Sequence, residues 1–533
     1  MQNLSLLNSI VGPVMRGPSS SHSAGPYHIA NTIRQLTAGC GEYIDSVRIG
    51  FNPSGSFAAV YSNQGSDEGF AAGFLGIPIT DDAYLDALRR FQSGQLYPFT
   101  FEVTTLVPND HPNRVQIDVQ VRQTDGNIRS DRFRAVSTGG GMFVIDDLNG
   151  HSIEVTGTEH VVLVEGDADA VPDALAREDL NWRTAVRASN RLSQFAFAAE
   201  LSAEALVSIA GLSGVERVRV TGPSQLCVAS TDTLLVSGAA LGEPNNLGLA
   251  EKALELESIR LGLPRHEVRR LFEERLELML TSVENGLRAA PSSDRMKFLT
   301  PSALRIKNAI LPPIIGAGFL QNAMSAALAV MEQDTNRGVV VAAPTAGSAG
   351  IVPGVLFALS QVGVAESMLV DSLQVMALVG GAFAARGSFA AETGGCSVET
   401  GASAAMAAGG MSHILGAGPQ QVFGAASLCL MNTLGLVCDP VGGEVEIPCH
   451  ARNIAGVSHA YAASIATLAG FDAVLPFDDV VQATVDVGKL MHPDLRCTGR
   501  GGCAAFCPAP KGSDASGSKT FVPLTLKSGY KDR

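Results

Sequence analysis

The stretch between Glu399 and Asp439 contains no Lys, Arg, Asp or Glu and is rich in Gly and Ala. A stretch this long without charge must be covered by a large core, in which small residues let helices approach closely. Three cysteines stand at its edges: Cys396, Cys438 and Cys449. Thiols in a dry interior are metal ligands or inert core residues, since free Cys is among the most buried residue types. The C-x10-C spacing of the second pair is not a standard zinc or ferredoxin spacing, so spacing alone leaves both open.

The number of these cysteines bears on what a bound metal would do. A cluster of four irons is normally held by four Cys thiolates. Three thiolates would leave one iron open, and catalytic metals offer such an open Lewis-acid position to a substrate oxygen. Bound iron would therefore indicate chemistry on a substrate more than electron transfer.

Length and composition set the class of protein. A chain of 533 residues that is 46% hydrophobic predicts two to four domains with ample core. Its net charge of -14 disfavours nucleic acid or an anionic membrane as a partner. The uncharged segments 308–331 and 400–438 are interrupted by Pro, Gln and Gly, so they predict buried helices rather than membrane spans. Nine Cys, an odd number, and a start without a signal-peptide pattern predict a reduced, cytoplasmic protein.

Residues 1–156 are predicted to form an α+β domain. Alternating, β-rich patterns predict strands at residues 46–51, 100–107, 114–121 and 151–155. A run of Gly139, Gly140 and Gly141 either cradles an anion or makes a tight turn, and we favour the turn.

Residues 159–226 predict a second, ferredoxin-like domain. Strands are expected at residues 161–165, 194–199 and 214–222, and helices at residues 170–177 and 203–209. The order strand, helix, strand, strand, helix, strand is that of ferredoxin-like units. The segment resembles an ACT domain, a module that commonly binds amino acids and regulates enzymes. It either binds such a ligand or serves as a structural or dimerising domain without one.

The remaining chain is predicted to be mostly α-helical. Residues 227–296 form a helical linker in which Pro264 separates two helices. One face of the second helix carries Val268, Phe272, Met279, Val283 and Leu287. Residues 297–510 form the larger helical domain with the cysteines, and residues 511–533 a polar, Gly/Ser-rich tail expected to be mobile.

Four motifs carry a resemblance to a known family. GGCSVETGASAAMAAGG and GLVCDPVGGEVEIPCHARN surround the cysteines, VVAAPTAGSAGIVPG precedes them at residues 340–354, and VGPVMRGPSSSHSAGP stands at residues 11–26. Together they resemble bacterial iron-sulfur L-serine dehydratases, in the single-chain form with a β-type domain at residues 1–156 and an α-type catalytic domain at residues 297–510. The resemblance covers most of the chain and keeps the motifs in order.

The resemblance implies a reaction and its cofactor. Cys396, Cys438 and Cys449 would ligate a 4Fe-4S cluster whose open iron assists departure of the β-hydroxyl of L-serine, giving pyruvate and ammonia without pyridoxal phosphate. The implied partner is a small amino-acid substrate, with no nucleic acid and no membrane, and we expect a homodimer or higher homo-oligomer.

Residues within the family motifs are candidates for the substrate site. Ser19, Ser20 and Ser21 offer hydroxyls for a carboxylate, and His22 is a candidate proton shuttle. Thr345 and Ser348 lie on a Gly-rich turn that can approach a ligand; we expect Thr345 to bind substrate and Ser348 to take part in catalysis. Arg452 and Asn453 follow the third thiol, where Arg452 would bind the substrate carboxylate or screen the negative charge of a cluster.

Two departures from the family concern the proton and the fourth ligand. Typical members carry a Lys-Gly-His-Gly-Thr-Asp type run with a catalytic His, but this chain has SNQGSD and places Gln64 there. Gln64 can hydrogen-bond but cannot transfer a proton at neutral pH, so either His22 does the acid-base work or the substrate is not serine. Some relatives use a removable cysteine ligand from the C-terminal tail. Cys507 is our candidate for that role, the alternative being that Cys497, Cys503 and Cys507 are free or redox-sensitive thiols.

Other classes of function remain open at this point. A pyridoxal phosphate lyase needs a Schiff-base Lys, and Lys297, Lys307 and Lys489 stand in no recognisable cofactor motif. A dehydratase of another small β-hydroxy amino acid or hydroxy acid would use the same site. A non-catalytic amino-acid sensor with a structural cluster is the alternative of another class.

Overall fold

The computed structural model describes residues 4–510 except 38, 40, 168, 170, 173–174, 176–183, 190, 231–236, 243–246, 289–294, 310–317, 507 and 509. The predicted tail at residues 511–533 and most of the predicted helix at residues 170–177 lie outside the described residues. Within them the chain is multidomain, with sheets in its N-terminal part and helices in its C-terminal part.

The strands belong to three sheets. In chain order they are β1 (Val14–Arg16), β2 (Tyr43–Phe51), β3 (Phe99–Val103), β4 (Arg114–Arg122), β5 (Ile128–Gly139), β6 (Met142–Leu148), β7 (His151–Val155), β8 (His160–Gly166), β9 (Thr184–Ser189), β10 (Leu192–Phe197), β11 (Val215–Thr221) and β12 (Val339–Val341). The sheet orders are β3-β2-β4-β5-β6-β7, β11-β8-β10-β9 and β1-β12. Only β2 and β3 pair in parallel; the other neighbours named here are antiparallel.

The strand predictions for the N-terminal part are mostly confirmed. Those at residues 46–51, 114–121 and 151–155 lie inside β2, β4 and β7. The prediction at residues 100–107 runs too far, because β3 ends at Val103 and a turn follows. Strands β5 and β6 were not predicted, because in β5 a charged residue, Asp131, is buried and an apolar one, Ile128, is exposed, which breaks the apolar alternation. The predicted turn at the glycine run is confirmed: it joins β5 to β6, and all three glycines have positive φ.

Helices cover the six-stranded sheet and link it to the candidate site. They span Gly25–Thr37, Ser56–Val60, Ser66–Leu75 and Ala87–Gln92, whereas the first helix, Leu6–Ser9, packs on helices of the C-terminal part. Helix Gly25–Thr37 packs on Ser66–Leu75 and on β5 and β6, burying Ile29, Ile33 and Leu36. Burial of this apolar face fixes the helix, whose N-terminal end continues from the turn that carries His22.

The middle sheet forms a small core of its own. Strands β8, β10 and β11 and the helix Ala203–Ala210 lie within two residues of their predicted positions. The predicted ferredoxin-like order contains a fourth strand to which no residues were assigned, and in the structure that strand is β9. Val162, Val164, Phe195 and Ile209 are buried together between this sheet and its helix.

Buried charges attach the middle sheet to the N-terminal part. Arg219 of β11 donates to both carboxylate oxygens of Asp131 in β5, at 2.8 and 2.9 Å, and to the carbonyl of Leu36 at 3.1 Å. The Arg219 and Asp131 side chains are 2% and 1% exposed. Arg219 also pairs with Glu165, and Arg129 with Asp131. Buried charges need such partners, so this network fixes how the two parts join.

Arg219→Met is expected to lower the free energy of unfolding by about 3 kcal/mol, because Asp131 would stay buried with only Arg129 as a counter-charge. Urea unfolding followed by circular dichroism measures the change. Arg89→Met is the matched control, since Arg89 and its partner Asp86 are exposed, and it should cost less than about 1 kcal/mol. Equal stability of the two variants would contradict a structural role for the network.

The C-terminal part is a helical bundle. Its lead-in helices span Gly238–Gly242, Leu249–Leu261 and Arg265–Leu287. The others span Ala303–Lys307, Gly318–Thr335, Ile351–Gln361, Glu366–Ala384, Ala391–Gly394, Thr400–Ile414, Pro419–Met431, Cys449–Leu468 and Phe477–Leu490. The predicted apolar face of Arg265–Leu287 is buried, and Pro264 separates it from the preceding helix, as predicted.

The charge-free stretch forms the centre of this bundle. Helix Thr400–Ile414 is buried from Thr400 to Ser412 and packs on Glu366–Ala384, Pro419–Met431 and Cys449–Leu468. Among the described helices, Glu366–Ala384 alone is long and apolar enough to cross a membrane, and 78% of its apolar window is buried inside the protein. Such burial is typical of a core helix of a large domain.

Candidate active site

A small cavity gathers residues from both ends of the chain. Its walls include Ser19, Ser20, Ser21, His22 and Gln64 from the N-terminal part and Thr345, Glu392, Glu399, Cys438, Cys449 and Cys497 from the C-terminal part. Its volume is about 40 Å³. A cavity of this size suits a ligand of few atoms rather than a nucleotide or peptide.

The pairing of β1 with β12 brings the two ends together. Val14 pairs with Val341 and Arg16 with Val339, so the two strands are antiparallel and the turns that follow them leave from opposite ends of a pair only three residues long. The N–H of Ala346, in the turn after β12, donates to Ser20 Oγ at 3.4 Å. The pairing and this hydrogen bond together join residues far apart in sequence and place the serines beside Thr345.

His22 lies on a single π-helical turn, Ser20–Ala24, that leads into helix Gly25–Thr37. Its Nδ1 is 2.9 Å from Ser21 Oγ, and its Nε2 is 2.9 Å from Ser56 Oγ. The ring is fully buried and packs edge-on against Phe57. Burial lowers the pKa of His22, and the negative charge of Glu392 opposes that shift. The imidazole is therefore neutral at neutral pH and able to accept a proton.

Gln64 lines the cavity from the turn before helix Ser66–Leu75. Its Nε2 donates to the carbonyl of Gly443 at 2.9 Å, and Asn63 Nδ2 donates to Gly442 at 3.1 Å. Gly442 and Gly443 lie in the loop between Cys438 and Cys449. The turn that departs from the family pattern thus ties the N-terminal part to the cysteine loop.

All three predicted thiols are buried, but Cys449 lies outside the close group of ligand atoms that Cys396 and Cys438 form with Glu399. Cys396 and Cys438 are hydrogen-bonded to each other, and Cys438 and Cys449 line the cavity. Cys396, Glu399 and Cys438 each offer one ligand atom, and these three atoms lie within 4.8 Å of one another. The hydrogen bond with Cys438 and the charge of Arg452 lower the pKa of Cys396 to about 7. Hydrogen bonds with Cys396 and Cys497 raise the pKa of Cys438, and burial raises that of Cys449.

This donor set fits a metal centre. Buried thiols become ligands only as thiolates, and the positive charge of Arg452 acts on two of them, Cys396 and Cys449. A bound cation would supply the remaining charge, and sulfur donors favour zinc or iron-sulfur centres over hard cations.

A fourth thiol, Cys497, reaches the same wall. The N–H of Cys497 donates to the carbonyl of Cys438 at 2.8 Å, and the two side chains are hydrogen-bonded. Cys497 has a φ of 60°, which is uncommon for a residue other than glycine and occurs often at functional sites. The sequence carries no local signal for this contact, and Cys507, our candidate, lies outside the described residues.

Arg452 is placed against the thiols rather than on the cavity wall. Its Nη1 donates to Cys396 Sγ at 3.1 Å and to the carbonyl of Val437 at 2.7 Å, and its Nη2 to Asp439 Oδ1 at 2.7 Å. Of the two roles expected for it, this geometry suits the screening of negative charge, since both terminal nitrogens bond these partners and the side chain does not line the cavity.

Ser348 and Asn453 are placed behind the cavity wall. Ser348 Oγ is buried, bonded to Ala343 and Thr345, and Asn453 bonds the backbone of Gly347, Gly350 and Cys449. Neither is among the described residues that line the cavity. Both hold the turn that presents Thr345, so their positions suit support of the site more than contact with a substrate.

Sequence reasoning missed two acids, Glu392 and Glu399. They flank Cys396 in ETGGCSVET and are the last charges before the dry stretch. Burial raises the pKa of Glu399 well above its usual range. Glu392 Oε1 accepts from Asn113 Nδ2 at 3.2 Å. The sequence signal that could have identified these two acids is their position at the edge of an otherwise uncharged segment.

Comparison with known proteins identifies the family. Residues 188–504 match the family described as the serine dehydratase alpha chain, more than half of the chain. The chain belongs to this family. Residues before 188 lie outside the matched region.

Named relatives agree with this assignment. The chain is 35% identical over 241 residues to a probable L-serine dehydratase alpha chain of Bacillus subtilis, which covers 44% of this chain and 78% of the relative. It is 40% identical over 187 residues to the L-serine dehydratase alpha chain of Peptoniphilus asaccharolyticus, covering 35% and 64%. It is 38% identical over 181 residues to L-serine dehydratase 2 of Escherichia coli, covering 33% of this chain and 40% of that protein.

Proposed function

We propose that this protein is an iron-sulfur-dependent dehydratase that converts L-serine to pyruvate and ammonia. One observation carries the proposal: buried thiols and the serines beside His22 line a single small cavity, in a chain of the serine dehydratase alpha-chain family. Loss of the β-hydroxyl and the α-proton gives an aminoacrylate, which water converts to the two products.

Cys396, Cys438 and Cys449 would hold a 4Fe-4S cluster. Three thiolates leave one iron without a protein ligand, which is the arrangement that catalysis on a substrate oxygen requires. When bound, the cluster supplies a Lewis acid that stabilises the negative charge on the departing hydroxyl. Arg452, whose Nη1 donates to Cys396 Sγ, would stabilise the thiolate of Cys396.

The chain's own residues would bind the substrate and move its proton. Ser19, Ser20 and Ser21 stand at the start of a helical run, where hydroxyls and the helix dipole favour a carboxylate. His22, kept neutral by burial, is suited to accept the α-proton through a ring nitrogen. Ser21 and Ser56 fix its ring orientation.

The substrate assignment is tested by anaerobic purification followed by two assays. Four irons and four sulfides per chain are expected for the cluster. Pyruvate and ammonia should form in equal amounts from L-serine. Absence of iron, or of both products, would overturn the proposal, whereas release of ammonia from another β-hydroxy amino acid alone would move it to that substrate. Gln64 in place of a proton-transferring group is the observation that favours this second candidate.

We also propose that the middle sheet is an ACT-like domain. Its strand order β11-β8-β10-β9, with a helix between β10 and β11, supports a ferredoxin-like unit. An amino acid bound there would regulate the site, and a domain without ligand would serve assembly. We also expect a cytoplasmic protein that forms a homo-oligomer. Size-exclusion chromatography with light scattering tests the oligomeric state.

Cys497→Ser is expected to speed the loss of iron in air several-fold, because Cys497 lies against Cys438 on the cavity wall and would shield that proposed ligand from oxidants. Iron content against time of exposure to air gives the measurement. Cys503→Ser is the matched control, since Cys503 is exposed in the same segment. Equal rates of iron loss in both variants would assign Cys497 no part in the centre.

A further inference from the structure

The charges around the cavity are unequal. Among the described residues that line it, two are carboxylic acids, Glu392 and Glu399, and none is Lys or Arg. His22 is the only basic side chain in that lining, and burial keeps it neutral. A ligand carrying only negative charge would therefore meet no fixed positive side chain there. A ligand with an ammonium group would find a counter-charge.

The two acids differ in what holds them. Glu399 is half-buried and lies 3.9 Å from Cys396 Sγ, with Thr345 as a hydrogen-bond partner. Its carboxyl group belongs to the thiol side of the cavity. Among the described residues, no hydrogen bond joins Glu392 to a thiol. Glu392 is anchored from the N-terminal part by Asn113, which is 1% exposed and donates to one oxygen only.

The charge of Glu392 acts across the cavity. It opposes the lowering of the pKa of His22 and of His111 by burial, and it contributes to the raised pKa of Glu399 and of Cys497. The Glu392 carboxylate, itself on the cavity wall, therefore faces groups from both the N-terminal and the C-terminal part. Its second oxygen is free of the Asn113 bond and available to a ligand.

We propose that Glu392 is the counter-ion for the ammonium group of the substrate and makes this site select α-amino acids over α-hydroxy acids. The inference rests on the proposed function for the location of the substrate. With the carboxylate at Ser19, Ser20 and Ser21, the α-ammonium is left to face an acid. A charge-assisted hydrogen bond to a partly desolvated carboxylate is among the stronger polar contacts in proteins.

Two small ligands isolate this contact. L-alanine and L-lactate share the carboxylate and the methyl group and lack the β-hydroxyl that leaves, so neither is turned over by dehydration. They differ only in the group on the α-carbon, which is an ammonium in L-alanine and a hydroxyl in L-lactate. Isothermal titration calorimetry on the anaerobic holoenzyme should give at least about tenfold tighter binding of L-alanine. Glu392→Gln should bring the ratio of the two Kd values close to one.

Controls separate this contact from a structural role. Glu366→Gln, at an exposed acid of helix Glu366–Ala384, should keep the wild-type ratio and wild-type turnover. Asn113→Ala should reduce the ratio only in part, because Glu392 keeps its charge but loses its anchor.

Three outcomes would overturn the inference. They are an unchanged ratio in Glu392→Gln, a wild type that binds both ligands equally, and a wild type that binds neither. Loss of turnover with an unchanged ratio would place Glu392 at the proton-transfer step instead. Pyruvate formation from L-serine is measured separately, so a wild type that prefers L-alanine but forms no pyruvate would refute the dehydratase and leave the ammonium subsite standing.

Discussion

Cys438→Ser is expected to yield protein with almost no iron or acid-labile sulfide and no detectable formation of pyruvate from L-serine. Cys438 is the thiol that contacts both Cys396 and Cys497, and it lines the cavity. A serine hydroxyl at this position does not ionise near neutral pH and is a poor ligand for iron-sulfur centres. Iron, sulfide and pyruvate are measured on protein purified anaerobically.

The chain offers a matched control for this substitution. Cys429 is fully buried in helix Pro419–Met431, where burial raises the pKa of its thiol, and it does not line the cavity. Cys429→Ser should keep full iron and activity, with at most a small loss of stability. Cys396→Ser and Cys449→Ser should behave like Cys438→Ser. Any of the three that kept its iron and turnover would be removed from the ligand set.

Local patterns identified the parts of the fold that local interactions decide. The absence of charge between Glu399 and Asp439 predicted a buried segment, and helix Thr400–Ile414 is the centre of the bundle. The glycine run predicted a turn, because three successive residues with positive φ are tolerated well only by glycine. Alternation found β2, β4 and β7 but missed β5, in which Ile128 is exposed and Asp131 is buried.

The contacts that build the candidate site are decided by distant parts of the chain. The pairing of Val14 with Val341 places the serines beside Thr345, and no periodicity in either segment encodes that register. Cys497 reaches Cys438 only because backbone hydrogen bonds hold its segment along that residue. The sequence names Arg452 as a group for an anion, but the partners it bonds depend on where the fold places Cys396 and Asp439. The sequence therefore identifies candidate groups, whereas the tertiary structure decides which partners they contact.

His22→Ala is expected to lower kcat by about 10²-fold or more while leaving iron content intact, the usual scale for a lost general acid or base. His22 lines the cavity with both ring nitrogens bonded to serine hydroxyls, so its orientation is fixed before substrate binds. Burial lowers its pKa from the ordinary 6.5. A base works in its unprotonated form, so the acid limb of kcat/KM should lie below 6.5 in the wild type and disappear in the variant.

His28 supplies the control for this experiment. It lies on the helix that follows His22, is buried, stacks on Phe143 and does not line the cavity. His28→Phe replaces the ring by another flat ring, so it should keep kcat and the acid limb. Gln64→Ala tests the competing assignment, because Gln64 faces the same cavity but has no titratable proton near neutral pH. A His22→Ala variant with wild-type kcat, together with a Gln64→Ala variant that loses it, would transfer the decisive role to the amide, which orients substrate or water but cannot take the α-proton. The proton would then have to leave through another group of the cavity wall, and a substrate other than serine would become the better assignment.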